Sequence, residues 1–128
     1  MNKFYLEPTK ITPMVVVDHQ NGIIELKGVS SPENSTGFYY QVLQQLDEYL
    51  EKDPKSLTAN LSFLYFNTSS SKCLFDLLKR CTKLKHSGAE LTINWYYDEM
   101  DDDMKEVGED FSDILNIPFN FIEESLVA

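Results

Sequence analysis

Histidine and cysteine are scarce in this chain, with two of each among 128 residues, and the scarcity excludes much chemistry at once. His19 and His86 stand apart from any cysteine or acid at metal-ligand spacing. No Gly-x-Ser-x-Gly elbow, Walker loop or Gly-x-Gly-x-x-Gly turn occurs. Serine and threonine cluster in one place, but no base is positioned to activate them. The chain therefore reads as a non-enzyme, with no catalytic residue, no metal site and no cofactor expected. Cys73 and Cys81 fall on one expected helix, where their spacing sets them about 12 Å apart. A disulfide needs Cα atoms within about 7 Å, so both read as reduced core residues, which agrees with a reducing compartment.

Basic residues are also few, 11 against 21 acids, for a formal charge of −10. A field of that sign repels phosphate backbones and anionic lipid and favours basic protein surfaces, so nucleic acid is not an expected partner. No apolar run approaches the roughly 18–20 residues needed to span a bilayer, and no membrane insertion is expected. Met1–Pro8 lacks the apolar stretch and small-residue cleavage site of a signal peptide, so the expected location is cytoplasmic. Apolar residues at 42% supply a packed interior. With no repeat, linker or low-complexity tract, residues 1–128 read as one domain. Residues 1–12 look like an aperiodic N-terminal extension, with Phe4, Tyr5 and Leu6 packed onto the surface.

Met14–Val17 is a β-branched run ended by Asp18-His19-Gln20-Asn21-Gly22, and Ile23–Lys27 follows, so the two predict an antiparallel hairpin. From Phe38, apolar residues recur at Val42, Leu43, Leu46, Tyr49 and Leu50, predicting a helix capped by Ser35 or Thr36 and stopped at Asp53-Pro54. Leu57–Phe66 begins as a clean alternation, with Leu57, Ala59, Leu61 and Phe63 facing one way. A second helix is marked by Leu74, Leu77, Leu78, Cys81 and Leu84, and closes on Lys83, Lys85, His86 and Gly88. Leu91–Trp95 alternates again, Met104, Val107, Phe111 and Ile114 fit a third helix, and Pro118–Ile122 a last strand. Three strands are apolar on one face and polar on the other, whereas parallel sheets usually bury both. Right-handed crossovers on a single side then require strands that step across the sheet in chain order. The expected fold is an α/β one-sided β-α superhelix, a mainly parallel sheet of about five strands with an N-terminal antiparallel hairpin and three main helices.

In such sheets function collects where strand ends meet helix N-termini. Asn67-Thr68-Ser69-Ser70-Ser71 sits at that point, and the free N–H groups of the next helix welcome an anion. A phosphate on Thr68 or Ser69 would add about −1.5 to −2 charges there. The bland alternative is that either residue is only a helix cap.

Three segments, Ser31-Pro32-Glu33-Asn34-Ser35, Leu64-Tyr65-Phe66-Asn67-Thr68-Ser69-Ser70 and Trp95-Tyr96-Tyr97-Asp98, carry a resemblance that extends from about Thr12 to Ile122. In order and spacing the chain resembles the SiaC family of bacterial regulatory phosphoproteins, which is similar in fold to the STAS anti-sigma-factor antagonists. The resemblance implies a phosphorylation switch on the threonine of Leu-Tyr-x-Asn-Thr-Ser, here Thr68. It also implies a dedicated kinase, a PP2C-type phosphatase, and an unphosphorylated form that activates a diguanylate cyclase, raising cyclic di-GMP and promoting biofilm.

Pro32, Glu33, Asn34 and Ser35 lie at a neighbouring strand end, either as a capped helix entry or as part of a partner-binding rim with Asn67, Thr68, Ser69 and Ser70. Trp95 continues the inward series of its strand, whereas Tyr96 and Tyr97 are expected to be exposed on the same rim, where tyrosine suits an interface. Asp98–Asp103 lacks the central glycine and alternating ligands of a calcium loop and fits an acidic helix start instead. The rival to a phospho-switch is a small-molecule or anion-binding domain that uses the 67–71 turn as a phosphate cradle.

Overall fold

The computed structural model describes residues 3–125; Met1, Asn2 and residues 126–128, which the expected domain includes, lie outside the described residues. Six strands and three helices follow one another as β1 (Lys3–Leu6), β2 (Met14–Asp18), β3 (Ile23–Ser30), α1 (Ser35–Leu50), β4 (Ser56–Phe66), α2 (Thr68–His86), β5 (Glu90–Asp98), α3 (Asp102–Leu115) and β6 (Asn120–Glu124). The sheet runs β1-β2-β3-β4-β5-β6, in chain order. β1 and β2 pair antiparallel, as do β2 and β3, and every later pair is parallel. The expected stepwise superhelix is therefore present, with one strand more than anticipated. That strand is β1, placed by sequence inside an aperiodic extension: Phe4 and Leu6 sit opposite Val17 and Val15 and pack against the core.

One face of the sheet is dry. Val15, Ile24, Leu26, Ala59, Leu61 and Ile93 are essentially inaccessible beneath the helices. The other face carries a polar row in register, Glu25, Asn60, Asn94 and Asn120. Asn94 Nδ2 donates to Asn60 Oδ1 at 2.8 Å, and Asn120 Nδ2 to Asn94 Oδ1 at 2.9 Å, so the amides satisfy one another across three strands. The hairpin turn is held by Asp18, whose Oδ1 accepts from the N–H groups of Gln20 and Asn21.

Trp95 anchors the C-terminal half of the core. Its ring meets Phe66 and Phe111 edge-on and stacks on Phe119, and its Nε1 donates to the Met104 carbonyl at 3.0 Å. α3 lies close enough for this only because residue 108 is glycine: a Cβ there would fall 2.6 Å from two indole atoms. The buried stripe of α3 is accordingly Met104, Gly108 and Phe111. Ile114, expected in the core, is instead 68% exposed. Gly108→Ala should gain about 1 kcal/mol of helix propensity and lose roughly 1–3 kcal/mol to overpacking against a ring that has no room to shift. Net destabilisation in chemical denaturation, without loss of secondary structure, is the expected result.

α2 buries Leu74, Leu77, Leu78, Cys81 and Leu84, as its sequence pattern predicts, and α1 adds Tyr39, which the pattern did not single out. Both cysteines are free thiols. Burial pushes the Cys81 thiol up to about 12 and raises that of half-buried Cys73, so neither has the character of a reactive thiolate.

Candidate functional site

The carboxyl ends of β3, β4 and β5 open onto one edge of the sheet, where three strand-to-helix turns meet the N-termini of α1, α2 and α3. Asn67 caps α2: its Oδ1 accepts from Ser70 N at 2.8 Å, and its own carbonyl accepts from Ser71 N. Neither Thr68 nor Ser69 is the cap. α1 is likewise capped by Asn34, whose Oδ1 accepts from Gly37 N at 3.0 Å, rather than by Ser35 or Thr36. α3 starts on Asp101, with Asp102 and Asp103 in its first turn, so the acidic run serves the helix dipole.

Ser35 is free of capping because it turns inward to a chain of hydroxyls beneath the turn. Ser30 Oγ donates to Ser70 Oγ at 2.9 Å and shares a 2.7 Å bond with Tyr39 OH. Ser35 Oγ lies 3.2 Å from Ser70 Oγ and 2.8 Å from Ser69 Oγ, and Ser69 Oγ donates to Asn67 Oδ1 at 3.2 Å. Each hydroxyl has one proton, so a single direction satisfies the set: Tyr39 to Ser30, Ser30 to Ser70, Ser70 to Ser35, Ser35 to Ser69, Ser69 to Asn67. Burial pushes the Tyr39 phenol well above its ordinary range, which keeps it a donor at the head of the chain.

Two backbone ties complete the junction. Asn67 N donates to Ser30 O at 2.9 Å, and Asn67 Nδ2 to Pro32 O at 3.4 Å. The loop before α1 and the turn before α2 are thus one bonded unit. Thr68 stands at its outer surface. Its side chain is exposed, it is the first residue of α2, and the hydroxyl chain bypasses it. The N–H groups of Thr68 and Ser69 precede the helix's own ladder, while those of Ser70 and Ser71 are taken by Asn67.

The expected rim is brought together only in part. Glu33, Asn34, Thr68 and Ser69 are exposed, and Asn67 and Tyr96 are half-buried. Pro32, Ser35 and Ser70 are buried and act from beneath. Tyr97, expected to be exposed, is only 8% accessible. It continues the inward series Ile93, Trp95, and its ring lies under Lys105 of α3, with Nζ 5.7 Å from the centroid. Leu64 and Tyr65, which open the central motif but are not assigned to the rim by sequence, are both exposed on β4 just before the turn; the loss of alternation at Phe63-Leu64-Tyr65-Phe66 is the signal for it. Two cavities, of about 490 and 610 Å³, lie at the far end of α2, lined by Lys83 and Ser87 in one case and by Lys85 and His86 in the other. No helix among the described residues is long and apolar enough to cross a membrane.

Comparison with known proteins sharpens the meaning of this edge. The family model for SiaC family regulatory phosphoproteins matches residues 6–124. A protein of Pseudomonas aeruginosa (strain UCBPP-PA14) is 30% identical over 119 residues, which cover 93% of this chain and 94% of that protein. Among solved structures, the crystal structure of diguanylate cyclase SiaD in complex with its activator SiaC, from P. aeruginosa, contains a chain that superposes with a TM-score of 0.89 at 29% identity, covering 94% of this chain and 99% of that one. Apo-SiaC from P. aeruginosa gives a TM-score of 0.88 at 30% identity, over 95% of this chain and 99% of that one.

Proposed function

The chain belongs to the SiaC family of regulatory phosphoproteins, and from that premise we propose that it is a non-enzymatic switch, reversibly phosphorylated on Thr68, whose unmodified form binds and activates a diguanylate cyclase. The hydroxyl chain beneath the turn carries the choice of Thr68. Ser70 is buried, and Ser69 has committed its proton to Asn67 and its lone pair to Ser35. A kinase acting on Ser69 would have to break both bonds, whereas the Thr68 hydroxyl is presented with none to break.

A phosphate at that position meets the positive end of α2, so the fold tolerates it. Its effect is on what docks: three charged oxygens at the centre of a rim formed by Glu33, Asn34 and Thr68 must be desolvated by an approaching protein. A dedicated kinase and a PP2C-type phosphatase set the balance between the two forms. The solved complex of SiaD with SiaC supports a cyclase as the output partner, and the surplus of acids over bases suits a protein partner better than nucleic acid. An intracellular location accords with a phosphate-controlled partner of this kind.

Phosphopeptide mass spectrometry after incubation with the cognate kinase tests the site. Thr68→Ala should abolish incorporation, while Ser69→Ala, which removes a bonded hydroxyl, should retain it. Phosphate found on the Thr68→Ala protein at Ser69 or Ser71 would overturn the assignment.

A further inference from the structure

We propose that Leu64 and Tyr65 are lifted by a β-bulge into an apolar contact patch on the open sheet face, and that its occupant is a partner helix with an apolar stripe flanked by basic residues. The register between β3 and β4 carries the first half of this inference. Gly28 is opposite Phe63, Val29 opposite Tyr65 and Ser30 opposite Phe66, so Leu64 is an extra residue in β4 with no counterpart on β3. A regular strand would send Phe63 and Phe66 to opposite faces. Here both point to the core, with ring centroids 5.4 Å apart, and Phe66 reaches Trp95.

The two residues between them are left on the other side. Leu64 is 44% and Tyr65 54% exposed, in a strand whose neighbouring residues are otherwise covered. Bulges recur where a side chain has to be re-aimed at a site. Two residues beyond the Ser62–Tyr96 pair, the patch borders half-buried Tyr96 on β5 and Val29 on β3. Met100, in the loop after β5, adds a pliable apolar side chain at the same edge, 86% exposed.

Continuity and charge indicate the occupant. Tyr65 is separated from Thr68 by two residues, and those residues, Phe66 and Asn67, are fixed in the core and in the cap. Anything resting on the patch therefore borders the phosphate-accepting hydroxyl. The loops at this edge, 7–13, 31–34, 67 and 99–101, carry Glu7, Glu33, Glu99 and Asp101 against one base, Lys10, with Lys27 the base nearest the patch on β3. Asp98 and Glu124, opposite one another on β5 and β6, extend the acidic border. An apolar centre within a rim where acids outnumber bases is complementary to an apolar stripe flanked by lysine or arginine.

This inference rests on the reading of the chain as a cyclase activator, and the test separates the two. Binding of the purified cognate diguanylate cyclase is measured by calorimetry for wild type, for Leu64→Ser/Tyr65→Ser and for Thr68→Asp, at low and high salt. The double variant should bind at least tenfold more weakly with an unchanged melting temperature, because both side chains are exposed, and wild-type affinity should fall as salt rises. Binding by the double variant within twofold of wild type, while Thr68→Asp is impaired, would overturn the patch and leave the switch standing. If wild type itself fails to bind the cyclase, the activator reading falls and the patch with it. Sedimentation provides the remaining arm: a wild-type dimer lost in the double variant, with cyclase binding intact, would make a second copy the occupant and overturn the proposal.

Discussion

Thr68→Asp is expected to weaken binding to the cyclase by between ten- and a hundredfold, about 1.4–2.8 kcal/mol. The sign is not self-evident, since a partner with basic flanks would attract added negative charge. Magnitudes decide it. An exposed ion pair returns at most about 1 kcal/mol, whereas stripping water from a charge that ends up inside a contact costs several kcal/mol. Thr68 lies between the exposed Glu33–Asn34 loop and the apolar residues at the end of β4, so a docked protein covers it. Desolvation therefore outweighs attraction. Authentic phosphate, with about −1.5 to −2 charges, should exceed the effect of aspartate. Thr68→Ala, which introduces no charge, should bind like wild type while escaping the kinase. Titration calorimetry of the three proteins against one cyclase preparation checks the order; equal affinity of all three would exclude Thr68 from the contact.

Trp95→Ala should produce the largest loss of stability, about 3–5 kcal/mol, or a fall in Tm of roughly 10–20 °C. The indole is 1% exposed and is surrounded by Phe66, Phe111 and Phe119. Gly108 has given up its side chain to let the ring approach, so α3 has nothing with which to refill the space. Trp95→Phe removes the indole N–H donated to the Met104 carbonyl together with part of the ring, and should cost less than Trp95→Ala. Thermal denaturation of both variants tests this, and a Trp95→Ala protein within about 1 kcal/mol of wild type would contradict the central role of the ring.

Strand alternation made most of the fold legible. Leu57, Ala59, Leu61 and Phe63, or Leu91, Ile93 and Trp95, announce an inward face, and one-sided burial then implies strands in chain order. The same alternation placed Tyr97 inward, yet a tyrosine near a strand end invited an interface role. The α3 stripe holds at Met104, Val107 and Phe111 and fails at Ile114; Gly108 joins its buried face unannounced, because a glycine has no hydropathy to signal that a tryptophan needs its place. Ser35 resembles a cap in isolation; only the nearness of α2's first turn reveals its other partners. The bulge at Leu64 was hidden for a similar reason, since four consecutive apolar residues do not say which of them leave the core. Apart from Tyr97, these misses depend on contacts between segments separated in sequence.

The stepwise order of the sheet has a consequence for how the chain acquires its structure. Each parallel strand pairs with one made only a few tens of residues earlier, as Thr58 does with Ile23, Glu90 with Ser56 and Asn120 with Asn94, and none waits for a strand to be inserted between two others. Contacts of such limited reach keep loop-closure entropy modest and favour rapid folding for a sheet protein. During synthesis the hairpin is complete before α1, and α1 before β4, so the sheet grows at a single open edge. The hydroxyl chain closes when Ser69 and Ser70 arrive beside Ser30 and Ser35, roughly midway through the chain. Thr68 is thus set in its final frame while the last third of the protein is still being made.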